Sequence, residues 1–189
     1  MLAAARGAVL VPTVPPSHQP LRQQVDQGEN VEARLCFYLS ALFTAAEEIR
    51  RHLAAGTPVV VESYFARCIT NHDAFGARLR IALPPDLPQP VTYYLCCAEK
   101  ERGRRLARRA KPTSRWDVLS ETLAPRIAAA YAQFPMRQID STGRTPEQVV
   151  QEILTAEPAG RHGVDTKPLG TQPHVLPVLP RRREGSDAS

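Results

Sequence analysis

The sequence predicts an α/β fold, a doubly wound and mostly parallel sheet with helices on both faces. Three observations predict it. Segments of strand character alternate along the chain with segments of helical period. One of the strands, Pro58-Val59-Val60-Val61-Glu62, is an unbroken β-branched run, the pattern of a strand covered on both faces, as strands of parallel sheets are. Charged residues then gather just beyond the strand ends, where open α/β sheets bind their ligands.

Taken in order, residues 7–11 (GAVLV) form a short apolar run closed by prolines, a strand leading into an extended segment. From Asn30 the period changes. Leu35, Leu39, Leu42, Ala46, Ile49 and Leu53 recur at steps of three and four and fall on one face of a long helix. Asn30 caps its start, Gly56 follows its end and Pro58 prevents its resumption. The valine strand follows, and residues 64–80 read as helix. After the proline-rich connector 84–90, residues 91–97 (VTYYLCC) read as a third strand. The cationic stretch that follows forms a helix, in which Arg104/Arg108 and Arg105/Arg109 are one turn apart. A second long helix runs from Trp116 to about Phe134, kinked by Pro125. Residues 136–140 (MRQID) give a fourth strand, and Thr145-Pro146-Glu147-Gln148 opens a last helix with a Thr-x-x-Gln capping box and a proline at its first position.

A chain of 189 residues supports one domain, which these elements place at residues 1–157. Residues 158–189, rich in proline and ending in LPRRREGSDAS, have little to bury and read as a disordered tail. No apolar run is long enough to span a membrane, and the N-terminus lacks a signal-peptide pattern, which points to a soluble cytoplasmic protein. Cys36, Cys68, Cys96 and Cys97 stand at no zinc or C-x-x-C spacing and read as buried free thiols, so no metal site is assigned. The net charge of +5 is concentrated in residues 98–115, where eight basic residues face two acidic ones. A localised anion site fits this distribution better than a general nucleic-acid coat, and nucleic acid is not the expected partner.

Together these features put an acid at the end of a buried strand, Glu62, opposite arginines that follow the next strand. Such a carboxylate can bind a sugar hydroxyl, hold Mg2+ through water or accept a proton from an attacking oxygen, while guanidinium groups neutralise phosphate charge as it shifts. A solvated strand end and a solvated arginine face are the plainer reading of these residues until their order along the chain is considered.

Residues 9–155 resemble, in the order of their segments, the thymidylate kinase and deoxynucleoside kinase group of P-loop proteins. VPTVPPSHQPLRQQVD (11–26) is similar to that group's strand and substrate-side loop, and ARLCFYLSALFTAAEEIRRHLAAG (33–56) to its long third helix. GTPVVVESYFARCITNHDAFG (56–76) resembles the strand that carries Asp-Arg-Tyr or Glu-Arg-Ser, with the substrate-covering helix after it. VTYYLCCAEKERGRRLARRAKPTSRWD (91–117) resembles the next strand and the arginine-bearing lid, and IDSTGRTPEQVVQEIL (139–154) the last strand, the adenine-side turn and the closing helix. The resemblance implies phosphoryl transfer from ATP, with Mg2+, to a (deoxy)nucleoside monophosphate. By it, Glu62 lies near the substrate's 5′ oxygen and the magnesium, and Tyr64 and Phe75 line the nucleoside pocket. Arg105 and Arg109, with Arg102, Arg108 and Arg115 in reserve, become lid arginines, and Asp140, Ser141 and Thr142 flank the donor base.

Two departures stand out. The group's G-x-x-x-x-G-K-[ST] phosphate loop is missing, since Lys100, Lys111 and Lys167 follow Glu99, Ala110 and Thr166. The group's first, central strand is missing with it. Ser63 stands where the group has a phosphate-binding arginine, a role Arg67 one turn later can partly take. Three readings follow: an N-terminally incomplete kinase, inactive as this chain; a non-catalytic relative that binds a nucleotide or a partner; or a basic α/β scaffold for RNA or another polyanion. The first is favoured, with a homodimer possible because a lost central strand leaves unpaired edges.

Overall fold

The computed structural model describes residues 1–110, 112–132 and 134–156. The expected tail at 158–189 lies outside them. A short helix α1 (Leu2–Ala5) precedes strand β1 (Val9–Val11). The segment read as extended then coils into a single 3-10 turn (Pro16–His18) and helix α2 (Gln19–Gln27). Pro20 sits in the first turn of α2, where its missing N–H costs nothing. That helix is polar along most of its length and buries no residue, so no hydrophobic period announces it.

Helix α3 (Val31–Ala54) begins where Asn30 accepts a hydrogen bond from the Ala33 amide, 2.9 Å, and it buries Leu35, Leu39, Leu42, Ala46 and Ile49. Gly56 closes it at a φ of 71°, a left-handed turn that glycine adopts freely. Strand β2 (Val59–Val61) and helix α4 (Phe65–Ala74) follow, α4 stopping at Gly76 with φ 97° rather than running on to residue 80. Strand β3 (Thr92–Cys96) leads into the cationic helix α5 (Glu99–Ala107). The helix expected to kink at Pro125 is broken into α6 (Arg115–Thr122) and α7 (Ala124–Tyr131), with Pro125 in the first turn of α7. Strand β4 (Met136–Asp140) and helix α8 (Pro146–Ala156) complete the described chain. The Thr145–Gln148 capping box forms as expected, each side chain bonded to the other's amide.

The class is mixed α/β and every strand pairing is parallel, but the strands form two separate two-stranded sheets, β1–β2 and β3–β4, instead of one continuous sheet. Val59, Val60 and Val61 are only half-buried, because β2 has one strand neighbour among the described residues and a β-branched strand needs one on each side to be enclosed. The largest core cluster joins Leu35, Leu39, Leu42 and Ala46 of α3 to Phe65, Cys68 and Ile69 of α4, together with Ala77 just after α4 and Leu87 of the connector. A second packs Val11, Ala45 and Ile49 with Val9, Val59 and Val61, seating β1 and β2 on α3. A third seats β4 on α8 through Ile139, Val149 and Ile153, and Leu2 and Tyr93 pack against it. Burying each such aliphatic side chain contributes about 1.5–3 kcal/mol. Of the four thiols, all free, only Cys68 is fully buried; Cys36 is exposed. No helix among the described residues is long and apolar enough to cross a membrane.

Candidate functional site

Parallel pairing sets Cys96 of β3 level with Asp140 of β4, so the two strands end together. The Ser141 amide and hydroxyl both donate to the Cys96 carbonyl, at 2.8 and 2.9 Å. The Ala98 amide donates to Thr142 Oγ1 at 2.8 Å. Asp140 accepts from the Thr142 amide and hydroxyl, at 2.9 and 2.6 Å, and these two bonds hold its carboxyl below the ordinary value. Arg105 reaches from α5 to the same point, donating to Ser141 Oγ at 3.0 Å and to the Ser141 carbonyl at 2.7 Å. The residues after Cys97 thus meet Asp140, Ser141 and Thr142, and Arg105 clasps the junction.

The other corner lies at the end of β2. The chain leaves the strand through Glu62 and Ser63 and enters α4 at Tyr64, which caps the helix without a side-chain hydrogen bond. Ser63 has φ 61°, the one non-glycine residue in the left-handed region among those described, a conformation that costs about 1–2 kcal/mol. Arg67, one turn into α4, folds back and donates to Ser63 Oγ at 2.5 Å. Its guanidinium thus returns to the end of β2. Glu62 is exposed and makes no hydrogen bond or ion pair with another described residue. An uncapped helix start, a cation and an uncommitted carboxylate share this corner, and the first amides of α4 favour an anion there.

Tyr64 and Phe75 are placed differently. Tyr64 packs into both clusters around α3, its hydroxyl sealed without a partner among the described residues, and burial pushes the phenol up to about 12. Phe75 ends α4 against His72 and Trp116, with ring centroids 5.9 and 5.4 Å away.

The cationic segment is largely neutralised by carboxylates. Arg104 and Arg105 bind Glu101, Arg102 pairs with Glu121 at 3.2 Å, Arg109 with Asp117 at 3.9 Å, and Arg115 with Glu29 at 2.5 Å. Its two arginines hold Glu101 down at about 2. Arg108 is exposed and has no ion pair with a described residue. Exposed pairs of this kind are worth under about 1 kcal/mol, so an incoming phosphate can displace them.

One cluster had no sequence signal. Arg34 of α3 lies between the rings of Tyr38 and Trp116, 4.6 Å from each centroid, and binds Asp26 at 3.2 Å. Tyr38 donates to Asp26 at 2.8 Å and the Trp116 indole to the Asp26 carbonyl at 2.9 Å. Arg34 also donates to His72 Nε2 at 2.8 Å. Arginine has only donors, so that nitrogen accepts and Nδ1–H donates to the Cys68 carbonyl at 2.6 Å. The i,i+4 spacing of Arg34 and Tyr38 is readable, but the Arg34–His72 and Asp26–Trp116 ties span 38 and 90 residues. This network fixes α6, and the end of the cationic segment with it, to α2, α3 and α4.

Among the described residues no cluster of three or more His, Cys, Asp or Glu could hold a metal ion. The Glu62 carboxylate, bound to no other described residue, fits an ion such as Mg2+ that keeps most of its waters and takes further ligands from substrate phosphates. The triphosphate of ATP finds no Gly-Lys loop in the sequence to cradle it. No protein-family model, no curated protein and no solved structure matches this chain.

Proposed function

We propose that the chain carries the acceptor side of a thymidylate kinase-like nucleotide kinase and binds a (deoxy)nucleoside monophosphate at the carboxyl ends of its strands. The observation that carries the reading is the corner at Glu62, Ser63 and Arg67. In this role Arg67 and the first amides of α4 take the substrate's phosphate. Glu62 holds hydrated Mg2+ or orients the attacking phosphate oxygen. Arg105, Arg108 and Arg109 neutralise charge as it shifts, at the cost of weak surface pairs. ATP is the donor this chemistry calls for, and residues 1–189 do not turn over unaided because the loop that would hold its phosphates is missing from them. The division of the strands into two parallel pairs supports the reading too, since it is what an α/β sheet lacking a middle strand would leave. A cytoplasmic location and a homodimeric state belong to the same proposal.

Titration of the purified protein with nucleoside monophosphates tests it. Saturable binding is expected, weakened at least tenfold in both Glu62→Ala and Arg67→Ala, without phosphoryl transfer from ATP. Affinity that instead grows with polyanion length, falls steeply with salt and ignores both substitutions contradicts the proposal and favours a basic RNA-binding scaffold.

A further inference from the structure

Cys96 and Cys97 are neighbours in sequence at the point where β3 ends, and both thiols are free and half-exposed. Of the other two, Cys36 is exposed on α3 and Cys68 is buried in α4, where burial pushes the thiol up to about 12 and keeps it protonated. The thiolate is the form that attacks a disulfide, so Cys68 takes no part in such chemistry.

The backbone around the pair is tied to β4. Cys96 is the last residue of the β3 ladder, level with Asp140, and its Sγ donates to the Ile139 carbonyl at 3.5 Å. The Cys96 carbonyl belongs to the peptide that joins it to Cys97, and it accepts both hydrogen bonds of Ser141, from the amide at 2.8 Å and from the hydroxyl at 2.9 Å. On the far side of Cys97 the Ala98 amide donates to Thr142 Oγ1. Ser141 is 7 % exposed, and Arg105 sits on its hydroxyl and carbonyl. Successive side chains of a strand point to opposite faces, whereas a disulfide needs its two Cβ atoms about 3.5–4.5 Å apart. The pair therefore cannot be bridged while the ladder holds Cys96. Closing the bond turns the Cys96–Cys97 peptide, and the carbonyl that Ser141 uses turns with it.

We propose that Cys96 and Cys97 form a reversible redox switch, closing to a disulfide between neighbouring residues and, in closing, opening the junction between β3 and β4. The oxidant is a small disulfide such as glutathione disulfide. The Cys97 thiolate, outside the ladder, attacks one of its sulfurs; that S–S bond breaks and one glutathione thiolate leaves with the electron pair. The Cys96 thiolate then attacks the Cys97 sulfur and releases the second. The two protons lost by the cysteines end on the two glutathione thiols, so the chain is oxidised by two electrons and the small disulfide is reduced by two. Ser141 and Ala98 lose their hydrogen-bond partners, and Arg105 loses the seat that fastens α5 to the strand ends. A disulfide under strain is readily reduced, which makes the change reversible. The proposal rests on the β3–β4 junction and does not depend on the nucleotide reading.

The test uses the full chain carrying Cys36→Ser, which removes the other exposed thiol. Trypsin cuts after Arg80 and Lys100, and the peptide between, 81–100, holds Cys96 and Cys97 and no other cysteine. After treatment with glutathione disulfide this peptide is expected to be lighter by two hydrogens, and dithiothreitol to restore it. In the oxidised chain, amide hydrogen exchange is expected to be at least tenfold faster at Ala98 and Ser141 and unchanged at Val149 and Ile153 of α8. With Cys97→Ser added, the same treatment leaves both junction amides as they were. A peptide that carries only glutathione adducts, a closed disulfide with Ala98 and Ser141 exchanging as before, the same acceleration in the Cys97→Ser chain, or acceleration that extends through α8 would each overturn it, the last because it marks general unfolding. Nucleotide affinity of the reduced chain enters none of these outcomes, so the two proposals fail separately.

Discussion

His72 is 3 % exposed and receives the Arg34 guanidinium on one ring nitrogen while donating from the other to the Cys68 carbonyl. It must therefore be neutral. Burial pulls its pKa from 6.5 to about 4; the Arg34 charge adds to this, and the Cys68 carbonyl and Asp26 oppose it. Because the unfolded chain binds this proton more readily, the histidine's contribution is fully present above about pH 6.5 and is lost as the pH falls toward 4, amounting to about 3 kcal/mol. Urea unfolding at a series of pH values should show stability falling through that window, and His72→Gln should flatten the fall. Ser63 offers a second test at this scale. Glycine relieves its left-handed backbone, so Ser63→Gly should be neutral or raise stability by up to about 1 kcal/mol, even with the exposed Arg67 bond lost. Ser63→Val should lower stability further, because a β-branched side chain fits the left-handed region less well than serine, with both shifts read from thermal melts. The residue types were legible in the sequence, but their partners were not. Glu62 and Arg67 are separated by little more than a helical turn, whereas the Trp116–Asp26 contact spans 90 residues and left no local pattern.

At the scale of elements, legibility followed period and punctuation. α3 carries a long apolar stripe between Asn30 and Gly56 and forms where the sequence puts it. Replacing Asn30 by alanine removes the bond to the Ala33 amide and should cost about 1 kcal/mol, measured as a shift in the denaturation midpoint without a change in slope. α2 went unread because it is polar and buries nothing. The helix pair α6 and α7 was read as one because leucine spacing runs across the break, while Pro125 stops the hydrogen-bond ladder instead of bending it. Strand identity and parallel pairing were readable from the β-branched run; the number of neighbours each strand would find was not, since local sequence does not encode an absent partner. The charge of residues 98–115 was readable as well, but not its compensation by Glu29, Asp117 and Glu121, which come from other parts of the chain.

At the scale of the whole molecule, the proposed nucleotide site has Glu62, Ser63 and Arg67 at the end of β2 on one side and Cys96, Arg105, Asp140 and Ser141 at the ends of β3 and β4 on the other. Hydrogen exchange followed by mass spectrometry, with and without a saturating nucleoside monophosphate, tests this most directly. Protection is expected to appear together in residues 62–68 and in residues 96–98 and 140–142, with little change in α8. Protection confined to the arginines of residues 102–109, or no protection at either strand end, would contradict it.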